Sequence, residues 1–372
     1  MRIPLSAPDI DETDIAAVTA VLHSSQLSLG PKLQEFEQAM VQYIGTPHAI
    51  AVSSGTSALH LCLRALEIGD GHEVIVPSFS FIAVANVVRY VGAIPVFVDI
   101  SPTSFNIDTD RIEAAITSRT RAILVVHTFG QPADMSRILD IAKRHKLLVI
   151  EDACEAIGAE FCGKKVGSFG DAAAFGFYPN KQMTTGEGGC VVTRNPALAA
   201  RIKSLRNQGR GDTADWFQHS EMGYNYRISE INCVLGITQL NRLEEMLRTR
   251  ESVAREYDKL LRKNSSVILP PITLPGRKIS WFVYVLQLEG RFTALQRDTL
   301  LKQMAGRGIG CGRYFAPIHL QPAYRAEPSR CMDLSITEFR APRMVALPFF
   351  NRITPQQISE VCQALQKEIL SL

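Results

Sequence analysis

The sequence predicts an α/β protein: a mostly parallel seven-stranded sheet in a large domain, followed by a smaller C-terminal α+β domain. Three observations carry this. Short apolar, β-branched runs alternate with stretches of helical periodicity through the first half of the chain. The residues best suited to chemistry fall at or just beyond the ends of those runs, where open α/β sheets place their ligands. Past Ser229 the pattern turns into a long charged amphipathic stretch and then a Pro-rich segment.

The strand runs, in order, are Ala49 to Val52, Glu73 to Val76, Pro95 to Val98, Ala122 to His127, Leu147 to Glu151, Ala172 to Phe177 and Gly189 to Thr193. Ser57 to Leu66 and Met135 to Lys146 have helical spacing between them, the βαβ alternation of a sheet covered on both faces. Glu230 to Leu261 reads as one helix with Leu240, Leu243, Met246 and Leu247 along its apolar stripe. Pro270, Pro271 and Pro275 follow, then a strand at Trp281 to Leu288 and helices at Ala294 to Gly306 and Pro355 to Ser371. The division falls near residue 245, giving domains of 1–245 and 246–372.

Composition narrows the function. Lys plus Arg number 40 against 37 Asp plus Glu, and no basic cluster alternates with aromatics, so nucleic-acid binding is not expected. The eight cysteines form no CxxC pair and read as reduced thiols, neither a disulfide frame nor a metal site. No apolar signal segment or membrane-spanning run is legible, so the expectation is a cytoplasmic protein without membrane contact.

Lys181 is the centre of the chemical reading. It lies in a Thr/Gly-rich turn just after the strand Ala172 to Phe177. Desolvation there favours the uncharged amine, the form that attacks carbonyls. Asp152 ends the strand before it, so an acid and a lysine meet at one sheet edge. That pair is the minimum apparatus for pyridoxal 5′-phosphate (PLP), whose ring withdraws electrons when its nitrogen stays protonated. Helix capping is the alternative role for Asp152. Val52-Ser-Ser-Gly-Thr-Ser57 joins a strand to a helix start, where free N–H groups suit a phosphate. Phe81, at the end of Pro77-Ser-Phe-Ser-Phe81, is an aromatic of the kind that stacks on a planar ring.

Taken together, Ser53-Ser-Gly-Thr-Ser-Ala-Leu59, Pro77-Ser-Phe-Ser-Phe81, Glu151-Asp-Ala-Cys-Glu-Ala-Ile-Gly-Ala159, Phe177-Tyr-Pro-Asn-Lys181 with its Thr-Thr-Gly-Glu-Gly-Gly tail, and Gly223-Tyr-Asn-Tyr-Arg227 resemble the DegT/DnrJ/EryC1/StrS sugar aminotransferases. The resemblance spans essentially the whole chain and implies a PLP-dependent enzyme of fold type I. By it, Lys181 would hold the cofactor covalently and shuttle protons, and Asp152 would pair with the ring nitrogen. Phe81 would cover the ring, while Gly55, Thr56 and Ser57 would hold the phosphate. Asn225 would reach the phosphate of a neighbouring subunit, implying a homodimer with shared active sites. His319 would bind substrate. Apart from the resemblance, Arg227, like Arg210 and Arg313, has the fork geometry to meet the pyrophosphate of a nucleotide sugar, with a surface charge as the alternative role. Two positions depart from the family pattern: Gly176 stands where a serine is frequent, and Glu155 where glutamine or histidine is frequent. Glu155 would support Asp152 or contact the phenolic oxygen. The implied reaction moves an amino group from L-glutamate to a nucleotide-linked keto sugar, with a 4-keto-6-deoxyhexose as the leading case, in deoxyaminosugar biosynthesis. A 3-keto sugar, a cyclitol or an aminobenzoate-type ketone are alternative substrates. A regulatory protein that binds PLP without turnover is the alternative outside enzymology.

Overall fold

The computed structural model describes residues 2–211 and 217–372. All seven anticipated strands form: β1 (His48–Val52), β2 (Glu73–Pro77), β3 (Ile94–Val98), β4 (Thr120–Val126), β5 (Leu148–Asp152), β6 (Ala172–Gly176) and β7 (Gly189–Thr193). They lie in the order β1-β7-β6-β5-β4-β2-β3, and a two-residue strand, Arg330–Cys331, adds an eighth member beside β3. Strand β7 runs antiparallel to both of its neighbours, while every other pair in the sheet is parallel.

Burial explains why these strands are apolar without alternation. Val74 and Val76 pack into one core with Ile50, Leu59, Leu61, Leu124 and Ile150. Ile75, between them, faces the opposite core with Val96, Val98, Ile123 and Val149. A parallel sheet covered on both sides needs apolar residues at successive positions, because neighbours point to opposite faces. The same topology delivers the carboxyl ends of β2, β4, β5 and β6 to one edge.

A separate core joins Val253, Tyr257, Trp281, Tyr284, Leu300, Val345 and Leu365 of the C-terminal part to Ile3 from the chain's start. Tyr257 and Tyr284 stack with centroids 4.9 Å apart, and the Tyr257 hydroxyl donates to the Pro348 carbonyl at 2.7 Å. Tyr284–Leu288 pairs with Met344–Leu347 in a small antiparallel sheet. The strand is shorter than the apolar run Trp281 to Leu288 that announces it.

The long helix expected over Glu230 to Leu261 is two, Glu230–Asn241 and Leu243–Leu261, broken at Arg242. No glycine or proline marks the break. Arg242 donates to the Asp14 carboxylate at 2.8 Å and the Asp9 carbonyl at 3.0 Å, and lies 3.0 Å from the Asp11 carboxylate. Charges near the chain's start thus hold the joint.

Candidate active site

A cleft of about 680 Å³ opens at the carboxyl edge of the sheet. Its walls include Ser54, Gly55, Thr56, Phe81, Asp152, Cys154, Glu155, Gly176, Tyr178, Asn180, Lys181 and Phe282. Lys181, Asp152, Gly55, Thr56, Phe81 and Glu155 therefore converge as the sequence suggests. Ser57, Asn225, Arg227 and His319 lie outside this lining.

Lys181 follows β6 in a tight turn, its N–H donating to the Tyr178 carbonyl at 2.9 Å. Its Nζ lies 3.6 Å from Glu155 Oε1 and 4.0 Å above the centre of the Phe282 ring. Glu155 also accepts at Oε2 from the Phe129 N–H at 3.0 Å. Burial pushes the Glu155 carboxyl up from its ordinary range, and the Lys181 ammonium pulls it back. Asp152 ends β5 and is nearly buried; one oxygen accepts from the Cys154 N–H at 3.0 Å. Burial raises its proton affinity too, opposed by hydrogen bonds from Cys154 and by Lys181. An acid in this state gains most from a guest that brings a positive charge to it, because the new charge offsets the cost of removing the carboxylate from water.

Across the cleft, Ser54 caps the helix Gly55–Ala65. Its Oγ accepts from the Ser57 N–H at 3.0 Å, and Ser57 Oγ accepts from the Ser54 N–H at 2.9 Å and donates to the Ser54 carbonyl at 2.7 Å. This capping box consumes the Ser57 hydroxyl, so that side chain serves the helix and not the cleft. Ser54, Gly55 and Thr56 remain as the anion-facing helix start. The floor is tight: a Cβ on Gly55 would sit 2.7 Å from Cys154 Sγ and 3.2 Å from Gly176 Cα. Two glycines and a thiol therefore pack against each other below the helix start. A Cβ on Gly176 would lie 3.3 Å from Cys154 Sγ, so the thiol crowds the space a serine there would enter.

The other expectations change. His319 Nδ1 lies 2.6 Å from Ser78 Oγ and its Nε2 lies 3.1 Å from Glu338. With both nitrogens engaged and the ring buried, it brackets the end of β2 to the helix Ser335–Arg340 and does not face the cleft. Arg227 donates to Asn207 Oδ1 at 3.0 Å, away from the lining. Asn225 is exposed on an extended segment bridged to Asn207, between the stacked rings of Tyr224 and Tyr226. Residues that sequence reasoning misses include Ser54, legible as a helix cap, Tyr178 and Asn180, which sit in the Phe177–Lys181 motif beside the lysine, and Phe282 and Tyr314, for which no local signal exists. Among the described residues no cluster of three or more His, Cys, Asp or Glu side chains is arranged to hold a metal ion. No helix of the described residues is long and apolar enough to cross a membrane.

An acid at the end of one strand and a lysine in the turn after the adjacent parallel strand, facing a capped helix start, define a transferase of PLP fold type I. The chain belongs to the DegT/DnrJ/EryC1/StrS aminotransferase family, whose model matches residues 8–366. It is 42% identical over 372 residues to the GDP-perosamine synthase of Caulobacter vibrioides, covering 99% of each chain. Among solved structures, PseC of Helicobacter pylori, an aminotransferase of pseudoaminic acid biosynthesis, matches with a TM-score of 0.95 at 30% identity over the whole of both chains. The PLP-form of Spr1654 from Streptococcus pneumoniae, a putative sugar aminotransferase, matches with a TM-score of 0.93 at 27% identity, covering 100% of this chain and 99% of that one. The protein is an aminotransferase.

Proposed function

We propose that the protein transfers an amino group from L-glutamate to a nucleotide-linked keto sugar, with PLP held in the cleft by Lys181. The observation that carries this reading is the placing of the Lys181 amine 3.6 Å from Glu155 in the same cleft as Asp152 and the Gly55 helix start. The residues fit the cofactor on three counts. The buried Asp152 suits a protonated ring nitrogen, the helix start suits a phosphate, and Gly55 and Gly176 add no side chain of their own to the cleft wall. PLP, when bound, supplies an electron-accepting ring that stabilises negative charge at the substrate carbon.

The protein's own part is binding and proton control. Lys181 provides the amine that anchors the cofactor, then removes and returns the substrate proton at Nζ. Asp152 would keep the cofactor's ring nitrogen protonated. Glu155, beside the amine and with a raised proton affinity, holds the proton that Lys181 gains or loses. Ser54, Gly55 and Thr56 bind the phosphate. Phe81, more than half exposed in the cleft lining, would cover the ring. Asn225 acts across a homodimer on the partner's phosphate; its exposure on an extended segment supports this. The separate core of Val253, Tyr257, Trp281 and Leu365 supports a division near residue 245, with residues 318–334 returning to the large part, where Ile318, Tyr324 and Leu334 join its core and Arg330–Cys331 pairs with β3; the sugar site would lie in the cleft that Phe282 and Tyr314 line together with Lys181.

A 4-keto-6-deoxyhexose carried by a nucleoside diphosphate is the substrate we favour, supported by the 42% identity to a protein named for a GDP-linked amino sugar. Incubation with glutamate and a panel of nucleotide keto sugars, followed by mass spectrometry, tests this. An amino sugar and 2-oxoglutarate in equal amounts are expected. Absence of both products across the panel, with 2-oxoglutarate formed from glutamate once another class of ketone is supplied, overturns the substrate.

A further inference from the structure

Arg250 is the most deeply buried guanidinium of the described residues, only 2% exposed, and among them it has no carboxylate within ion-pair distance. Burial depresses its proton affinity, to about 10, and its Nε has no hydrogen-bond partner. A buried cation whose counter-charge, Asp9, acts only from beyond ion-pair distance is costly, so its retention asks for a reason. Its two bonds supply one. From the helix Leu243–Leu261, Nη2 donates to the Lys181 carbonyl at 3.1 Å and Nη1 donates to the Phe282 carbonyl at 3.2 Å. Phe282 is the residue whose ring lies 4.0 Å below the Lys181 amine. One rigid fork therefore fixes the backbone of the lysine and the backbone of the ring beneath it.

The next residue repeats the device. Gln182 Nε2 donates to the Glu155 carbonyl at 2.6 Å and to the carbonyl and hydroxyl of Ser280 at 3.1 and 2.9 Å. Ser280 in turn donates to the Ile157 carbonyl at 2.6 Å. The lysine segment is thus tied to residues 280–282 on one side and to the Glu155 loop on the other. By contrast, among the described residues the Lys181 tip is held by an ion pair at 3.6 Å and a ring face. The pivot is fixed and the tip is free.

We infer that Arg250 is a positioning residue for the reacting amine, setting where Nζ returns each time it leaves and re-enters the reaction. This rests on Lys181 being the amine that captures the cofactor. A tether whose root drifts by about 1 Å loses on the order of 10²-fold in rate, because reacting groups no longer meet in line.

The test mixes cofactor-free protein with PLP and follows capture by stopped-flow absorbance, alongside thermal melting of the same cofactor-free samples. Arg250→Lys keeps the charge and reaches one carbonyl. Arg250→Gln keeps the case decidable if the lysine variant does not fold. Arg297→Lys is the control, a buried arginine on the helix Ala294–Gly306 that also donates to two backbone carbonyls, of Ala341 and Met344, and bonds neither Lys181 nor Phe282. Capture slowed about tenfold or more in the Arg250 variants, with no slowing in R297K at a comparable loss of melting temperature, is the expected result. Wild-type capture rates in the Arg250 variants, or equal slowing in R297K, overturn the inference. Lys181→Ala separates the two ideas: if it captures PLP as fast as wild type, the assignment of the amine fails, whatever Arg250 does.

Discussion

The floor and the rim of the cleft are built on opposite principles. Asp152, Glu155 and the Arg250–Gln182 anchorage of Lys181 are buried and hydrogen-bonded, supplied by strand ends, their immediate turns and, for Arg250, the helix Leu243–Leu261. Phe81, Tyr178 and Arg313 line the same cleft yet are more than half exposed. The difference teaches which part carries the chemistry that every substrate needs and which part waits for what binds. Fixed dipoles and charges act most strongly where water is excluded, so the floor stabilises charge and moves protons. The rim has little to lose on binding and can adapt to the substrate.

The largest effect should come from the floor. Lys181→Ala removes the only amine at the proton-transfer position and should cut turnover by at least about 10⁴-fold, measured as 2-oxoglutarate formation. Residual turnover within tenfold of wild type would erase the contrast. Asp152→Asn keeps the shape but cannot carry the charge that holds a ring proton; both half-reactions should slow by about 10² to 10³-fold. A loss confined to the sugar half-reaction would place Asp152 with the substrate instead.

Gly55→Ala sharpens the view of the floor as closely packed. The added carbon meets Cys154 Sγ at 2.7 Å, and overpacking of this kind costs about 1–3 kcal/mol. PLP binding measured by fluorescence should weaken accordingly, and adding Cys154→Ala should recover much of it. No recovery in the double variant would show that the thiol is not the obstacle. On the rim, Phe81→Ala should weaken cofactor binding by only about 0.5–1.5 kcal/mol, the worth of a stacked ring, with kcat little changed.

A final effect concerns stability behind the rim. His60 hydrogen-bonds the Tyr226 hydroxyl at 3.1 Å under the Asn225 segment, and burial pushes its imidazole down to about 4. Between the ordinary histidine range and that value the unfolded chain takes up a proton that the folded one refuses, so folding stability falls as pH drops through the window and is full above it. Melting curves from pH 7 to 4 should show this fall, and His60→Asn should flatten it. An unchanged slope in H60N would assign the fall to other groups.

How much of this was legible depends on distance along the chain. Lys181 and Asp152 stand at the ends of apolar runs, and a strand end is a position the sequence itself marks. Ser57 looked like a phosphate ligand because the sequence shows hydroxyls but not which one the capping box consumes. His319 looked available because nothing local reveals that Ser78, 241 residues away, and Glu338 occupy its two nitrogens. Phe282 and Arg250 reach Lys181 from segments about a hundred and about seventy residues downstream, a meeting only the folded topology decides. The break at Arg242 was hidden for the same reason, since acids from the other end of the chain make it.

The most direct test of the central claim is borohydride reduction of the PLP-loaded protein followed by peptide mapping. The account predicts a phosphopyridoxyl group on Lys181 and on no other lysine. Reduction that leaves the Lys181 peptide unmodified, or marks a different lysine in an active preparation, would contradict it.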